Sequence, residues 1–385
     1  MLLIGYSLSS CISIAGSSIA LTLAFVLAII RFIKQSKSSA LDKGMIIAIA
    51  IFFFTLLVSA ITSDHVALSL KSVWGDLRHM APLFLVTVFI KDRKKMKAIL
   101  FALCVSIFIA DSYAIWQGIQ GKQRVAAFGA HPMILAGYLI QMIPLLLVMV
   151  AEGNILGNRS RIILAIIFLL SLIALVLNGT RGAWLAVVFI FFVYGIMSIK
   201  RNRYIVPCLV IILIIASLTI SVVPTLHTRA KSITDHNFQS NTERILLWKS
   251  AWNMFSDHPL TGIGPGGFAA SYKRQYILPA AKEPKLTHAH NNFIHIAAEA
   301  GTVGLVGFLY MFGSILYTSL RQYRVNNADA WAMCCFLATV SLLVQGFTEY
   351  NFGNSAVCRL YWFIVGLMTV SGNIYINESK AKGLK

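Results

Sequence analysis

The chain is dominated by long apolar runs, with polar residues gathered in short clusters between them. Uncharged or nearly uncharged runs fall at about 44–62, 74–90, 98–117, 132–151, 162–178, 182–199, 205–226, 302–320, 330–349 and 356–376. Each is near the roughly 20 residues a helix needs to cross the hydrocarbon layer of a bilayer. Residues 1–30 are also uncharged but broken by Ser and Gly, and we read them as two short helices rather than one long tilted one. The predicted fold is an all-α, polytopic transmembrane helical bundle of about twelve spans, or eleven if residues 1–30 are continuous. Leu8-Ser9-Ser10-Cys11 has the look of a lipoprotein cleavage box, but no basic segment precedes it. Neither that processing nor a cleaved signal peptide is expected.

Composition excludes a soluble α/β or α+β domain: 58% of residues are apolar and 12% charged, with a mean hydropathy of +0.76. The formal net charge of +19 would suit nucleic acid, but its placement argues for a membrane. Basic residues cluster between alternate spans: Arg31, Lys34, Lys37 and Lys43; Lys91, Arg93, Lys94, Lys95 and Lys97; Arg159 and Arg161; Lys200, Arg201 and Arg203; Arg321 and Arg324; and the tail Lys380, Lys382 and Lys385. The positive-inside rule makes these the cytoplasmic loops and puts the C-terminus inside. Anionic membrane lipids account for the excess, and no nucleic-acid partner is expected. The six cysteines lie in or beside the spans, so neither a disulfide framework nor a thiolate metal site is indicated.

The outward segments are then about 63–73, 118–131, the hairpin 179–181, the long stretch 227–300, and 350–355. They divide the chain into N-terminal transmembrane helices over 1–226, a large outward loop over 227–300, and C-terminal transmembrane helices with a cytoplasmic tail over 301–385. The loop is too short, and too broken by Gly and Pro, for an ordinary independent domain, so a lid of short interfacial helices is expected. Within it, 241-NTERILLWKSAWNMFS-256 carries Ile245, Leu246, Trp248, Trp252 and Phe255 around Arg244 and Lys249, the pattern of an amphipathic interfacial helix. The glycine-rich 258-HPLTGIGPGGF-268 lacks the strand-to-helix context of a nucleotide loop and predicts a sharp surface turn.

Several polar residues are candidates for chemistry. Arg181 sits in 178-NGTRGAWLA-186, where a cation can offset the dipole of the preceding helix or grip an anion beside the N–H groups of the next. Arg244 follows Glu243 and can pair with a neighbouring carboxylate or snorkel, and Arg124 suits a solvated loop charge or a binding role. In 287-THAHNNFIHIAAEAGTVGLVGF-308, His288 and His290 have H-x-H spacing, and His295 and Glu299 form an i, i+4 pair expected to bond to each other. This spacing does not force three ligands into a metal geometry, and no metal is predicted. His290, at the start of the helix, is placed to accept a proton near neutral pH.

These residues resemble the O-antigen ligase and polymerase superfamily of bacterial envelope polysaccharide enzymes. The resemblance rests on His290, Asn291, the nine residues from Asn292 to Ala300, then Gly301 and Gly304; on TRGAW at 180–184; on ER…W…AW at 243–252; on the 258–268 turn; and on the R…F…HP…LAGYL segment from Arg124. It covers most of the chain from about 120 to 310. What it implies is a GT-C-like glycosyltransferase of the bacterial inner membrane with its active site facing the periplasm. Such an enzyme moves polysaccharide from an undecaprenyl-diphosphate-linked O-antigen donor onto a sugar of a lipid A-core acceptor. His290 would activate the acceptor hydroxyl, Arg181 and Arg244 would hold the diphosphate, and Arg124, His288, Asn291 and Gly301 would contact substrate. Two guanidinium groups can take the place of a divalent cation at a departing diphosphate. The outward carboxylates (Asp64, Asp76, Asp111, Asp235, Glu243, Asp257, Glu283, Glu299 and Glu349) are scattered with no D-x-D pair. Metal-independent, inverting transfer without a cofactor is therefore expected. An O-antigen polymerase of the same superfamily is the nearest alternative; an anionic-lipid transporter or flippase would instead place its charges at mid-membrane depth.

Overall fold

A computed structural model describes residues 1–34, 41–152, 157–201, 204–235, 238–326 and 329–381. Lys37, Arg203, Lys382 and Lys385 of the basic clusters lie outside these residues. The helices are α1 (Leu2–Ser9), α2 (Ile14–Lys34), α3 (Lys43–Ile61), α4 (Val66–His79), α5 (Ala81–Phe89), α6 (Arg93–Ile119), α7 (Pro132–Glu152), α8 (Asn158–Asn178), α9 (Arg181–Ser198) and α10 (Ile205–Val222). They continue with α11 (Pro224–Lys231), α12 (Gln239–Asp257), α13 (Phe268–Ser271), α14 (Asn292–Val325), α15 (Ala330–Gln345) and α16 (Ser355–Ala381). Among the described residues, no strand occurs. A bilayer-soluble chain must satisfy its backbone groups within each segment, and helices do so.

Among the described residues, eight helices (α3, α6, α7, α8, α9, α10, α14 and α16) are long and apolar enough to cross a membrane, and Ile14–Ile30 and Ala330–Gln345 are shorter apolar stretches. Helices α7 and α16 are the most enclosed and α10 the least. Residues 1–30 form two helices as expected, although α1 has only eight residues, about 12 Å of rise. The run 74–90 is not the single span its hydropathy predicts. Helix α4 ends at His79 and α5, with Pro82 in its first turn, has nine residues. Ser63, Ser69 and Ser72 all lie directly against the 262–267 turn, where a Cβ added to Gly264 would meet Ser63 Cβ at 2.4 Å and one on Gly266 would meet Ser72 Cβ at 3.0 Å. This packing holds α4 alongside the turn instead of letting it descend through the bundle.

The 227–300 stretch has a small core of its own, in which Leu247, Met254, Phe268 and Tyr272 close on Ala298 of α14. Helix α12 forms where the amphipathic pattern predicts, but its buried face is Glu243, Leu247, Ser250, Ala251 and Met254. Trp252, part of the apolar interfacial face expected from the sequence, is 59% exposed. Small residues allow α12 to lie close to α14; Trp252 turns outward, while the part-buried Trp248 donates from Nε1 to Ala289 O.

The 258–268 segment is a turn, as expected, but Gly262, Gly264, Pro265 and Gly267 are buried, because the turn repairs a break in α14. At Gly301 the backbone adopts φ 64° and ψ −166°, a region essentially restricted to glycine. Carbonyls and N–H groups orphaned there find partners in the turn: Ile263 N–H donates to Ala298 O at 3.0 Å, Gly264 N–H to Glu299 O at 2.9 Å, and Thr302 N–H to Pro259 O at 2.8 Å. Gly301, which the sequence reading places among the substrate contacts, is buried beneath this turn, and an added Cβ would lie 2.2 Å from Leu260 O. Its position is one of packing.

Candidate active site

Three of the outward segments, 118–131, 179–181 and 227–300, converge with the 346–354 loop on a cavity of 660 Å³ lined by Arg124, Arg181, Arg229 and Arg244 together with Glu283 and Glu349. Four guanidinium groups against two carboxylates leave the site electropositive. Burial, followed by the fields of Arg229 and Arg244, holds Arg124 below the ordinary arginine value. Burial and then Arg244 do the same to Arg229, and at Arg244 burial outweighs the help of Glu349. The groups remain charged, so their crowding favours entry of an anion with several oxygens.

Each arginine is placed by its local backbone. Gly179 ends α8 in the left-handed conformation and Thr180 precedes the first residue of α9, Arg181. The Arg181 guanidinium donates from Nη1 to the Ser232 carbonyl and hydroxyl, and from Nη2 to Ser240 Oγ at 3.0 Å and Asn241 Oδ1 at 2.7 Å. Phe238 lies 5.4 Å beneath it. Arg181 therefore binds the chain between α11 and α12 to the hairpin. Arg124 is held at φ 56°, in the left-handed region uncommon for side-chain-bearing residues. Arg244, on the second turn of α12, approaches Glu349 Oε2 at 3.9 Å.

Glu349 joins the arginines to the histidines. His290 Nδ1 lies 3.0 and 3.1 Å from its two oxygens, and His288 Nε2 lies 3.4 Å from Oε1. Burial alone would raise the Glu349 carboxyl, but the hydrogen bonds from His288 and His290 outweigh it and hold the group well below the usual carboxylate range. An ionised Glu349 fixes the proton of His290 on Nδ1 and leaves Nε2 as the basic nitrogen. His288 is lowered, chiefly by burial, against the pull of Glu349. His290 adopts φ 48°, so the segment before α14 is strained where the imidazole is presented. His288 and His290 do not themselves line the cavity; they contact Glu349, which does.

The other candidates are placed differently. Asn291 is buried and caps α14, its Oδ1 accepting from Phe293 N–H at 2.9 Å and Ile294 N–H at 3.0 Å while its Nδ2 donates to Phe347 O. His295 and Glu299 pair at 3.4 Å, and Glu299 also accepts from Phe268 N–H at 3.0 Å, which ties α14 to α13. The sequence reading does not single out Arg229 or assign Glu349 a partner. The available signals are a basic residue on the outward side of the bundle for Arg229, and a carboxylate between two apolar spans for Glu349. His288, His290 and Glu349 place three metal-ligating atoms within 4.8 Å of one another, a set the H-x-H spacing does not announce because its third member comes from a distant loop.

A family model for O-antigen ligase matches residues 166–309, which include Arg181, Arg229, Arg244, His288 and His290. An O-antigen ligase of Salmonella typhimurium is 23% identical over 210 residues, covering 49% of this chain and 48% of that protein. A Rickettsia typhi protein assigned by name as a polysaccharide ligase is 26% identical over 156 residues, covering 36% of this chain and 35% of the relative. The matched stretches thus span between about a third and a half of these curated relatives.

Proposed function

Because the region carrying the hairpin arginine, α12 and His290 matches the O-antigen ligase family, we propose that this chain transfers a polysaccharide from undecaprenyl diphosphate to a sugar hydroxyl of a lipid A-core acceptor. The reaction takes place at the periplasmic face of the bacterial inner membrane. The observation that carries this reading is the His290–Glu349 pair, 3.0 Å apart, on the edge of a cavity lined by four arginines.

In this reading the donor diphosphate occupies the arginine cavity. The acceptor hydroxyl oxygen attacks the anomeric carbon, the bond from that carbon to the diphosphate oxygen breaks, and the hydroxyl proton passes to His290 Nε2. A positioned base is typically worth about 10²–10⁴-fold. Charge accumulates on the leaving diphosphate, where Arg124, Arg229 and Arg244 stabilise it, with Arg181 available as its loop contacts exchange. A single displacement inverts the anomeric carbon. Four guanidinium charges oppose the entry of a further dication, which supports catalysis without a metal even though His288, His290 and Glu349 lie close enough to gather one.

The test is reconstituted transfer from undecaprenyl-diphosphate glycan to purified lipid A core in EDTA, comparing wild type with His290→Ala and Arg244→Ala. Conjugate from wild type alone, with both variants folded, is the expected result. Elongation of the glycan on its own carrier with no conjugate would identify a polymerase, and turnover that requires added Mg²⁺ or Mn²⁺ would overturn metal independence.

A further inference from the structure

A second basic concavity lies apart from the arginine cavity and shares none of its lining residues. It is a groove of 780 Å³ bounded by α2, α4, α5 and the first turns of α16, and its walls include Leu21, Phe25, Trp74, Leu77, Leu83 and Phe84. Phe25, Trp74 and Leu77 are exposed. Arg78 and Arg359 also line it. Among the described residues, no carboxylate lies within ion-pair distance of either arginine. Arg359 Nη1 donates to Ser18 Oγ at 2.6 Å. Both arginines act on His79, which also lines the groove.

The depth of this pair is informative. Arg359 is the fifth residue of α16 and Ser18 the fifth of α2, each about 6 Å along its helix. Helix α16 starts directly after the 346–354 loop that carries Glu349. Arg359 therefore lies in the second turn below that loop, and the apolar walls of the groove run on to Leu41, just before α3. An unpaired arginine at such a depth calls for an anionic partner, and an outer-leaflet lipid bearing phosphate fits both ends of the groove: phosphate on the arginines, acyl chains along Leu21, Phe25, Leu83 and Phe84.

We propose that this groove seats the phosphorylated lipid end of the acceptor, while the donor diphosphate occupies the arginine cavity across the 346–354 loop. The assignment of the occupant as acceptor rests on the ligase reading; the assignment of a lipid-phosphate site does not. Two membrane-anchored substrates then approach His290 from separate flanks, and neither must leave its leaflet or pass the other.

Two measurements separate these levels. Full-length protein in detergent is titrated with diphosphorylated lipid A and with its dephosphorylated form, and bound lipid is read by native mass spectrometry. Wild type is expected to retain the phosphorylated form preferentially; Arg78→Gln/Arg359→Gln lowers that retention about tenfold, and Arg78→Lys/Arg359→Lys preserves it. Wild-type retention by the folded Gln variant, or equal retention of both lipids, overturns the site whether or not the protein is a ligase. In the transfer assay the Gln variant should raise KM for the acceptor about tenfold with donor KM and kcat unchanged. Lipid retention lost without a change in acceptor KM overturns the acceptor assignment.

Discussion

Replacing Glu349 by Gln separates proton handling from phosphate binding. The substitution keeps the shape of the side chain and removes its charge. Glu349 meets His290 Nδ1 at 3.0 and 3.1 Å, and a hydrogen bond to a charged group is worth about 1.5–3 kcal/mol, which as a barrier is roughly a 10- to 150-fold loss. The tautomer adds to this. An amide can offer its N–H₂ to Nδ1, which moves the imidazole proton to Nε2 and leaves no lone pair facing the acceptor. We therefore expect kcat to fall by at least about 10²-fold. Donor binding should move the other way, because the substitution takes a negative charge from a cavity of four arginines and frees Arg244 from its contact at 3.9 Å; KM for the diphosphate donor stays the same or drops. Steady-state transfer with each substrate varied in turn, on protein shown to be folded, gives both parameters. A kcat within about threefold of wild type, or a loss expressed only in donor KM, would refute the role of Glu349 in orienting His290.

Gly301→Ala should lower the thermal midpoint of the detergent-solubilised protein by an amount equivalent to about 2–5 kcal/mol, because it combines a glycine-only conformation with overpacking where the new Cβ would lie 2.2 Å from Leu260 O. A midpoint equal to wild type would show that the turn and the helix break separate easily. His288 supplies a pH test. Its folded value lies below its ordinary 6.5, so the unfolded chain takes up a proton first and stability declines as pH falls below about 6.5. The slope of thermal midpoint against pH between 7 and 5 should be shallower in His288→Gln, and an unchanged slope would count against burial of a neutral imidazole there.

Hydropathy and loop charge were enough to locate most of the bundle, because a bilayer demands continuous apolar length. They misjudge 74–90, where the count of apolar residues is sufficient but Pro82 and the packing of Ser63, Ser69 and Ser72 against a glycine turn decide the path. Arg124, Arg181 and Arg244 are legible as candidates because charged side chains stand out against apolar flanks, and the structure brings them to one cavity. Glu349 is not legible in this way: its partners His288 and His290 lie about 60 residues away in sequence, and no local spacing records a contact made by folding. Asn291 and Gly301 are legible as motif members, but the motif alone does not announce that one caps α14 and the other breaks it.

The Arg181 clamp makes occupancy of the cavity an exchange. Its guanidinium donates to Ser232, Ser240 and Asn241, so a diphosphate that recruits these N–H groups must release the start of α12. The helix released is the one that carries Arg244, and the gain in ligand contacts is offset by the ordering lost in the protein. A hairpin arginine engaged in this manner acts as a toll on entry, admitting an anion able to satisfy several donors at once and giving a lone carboxylate or chloride little reason to stay.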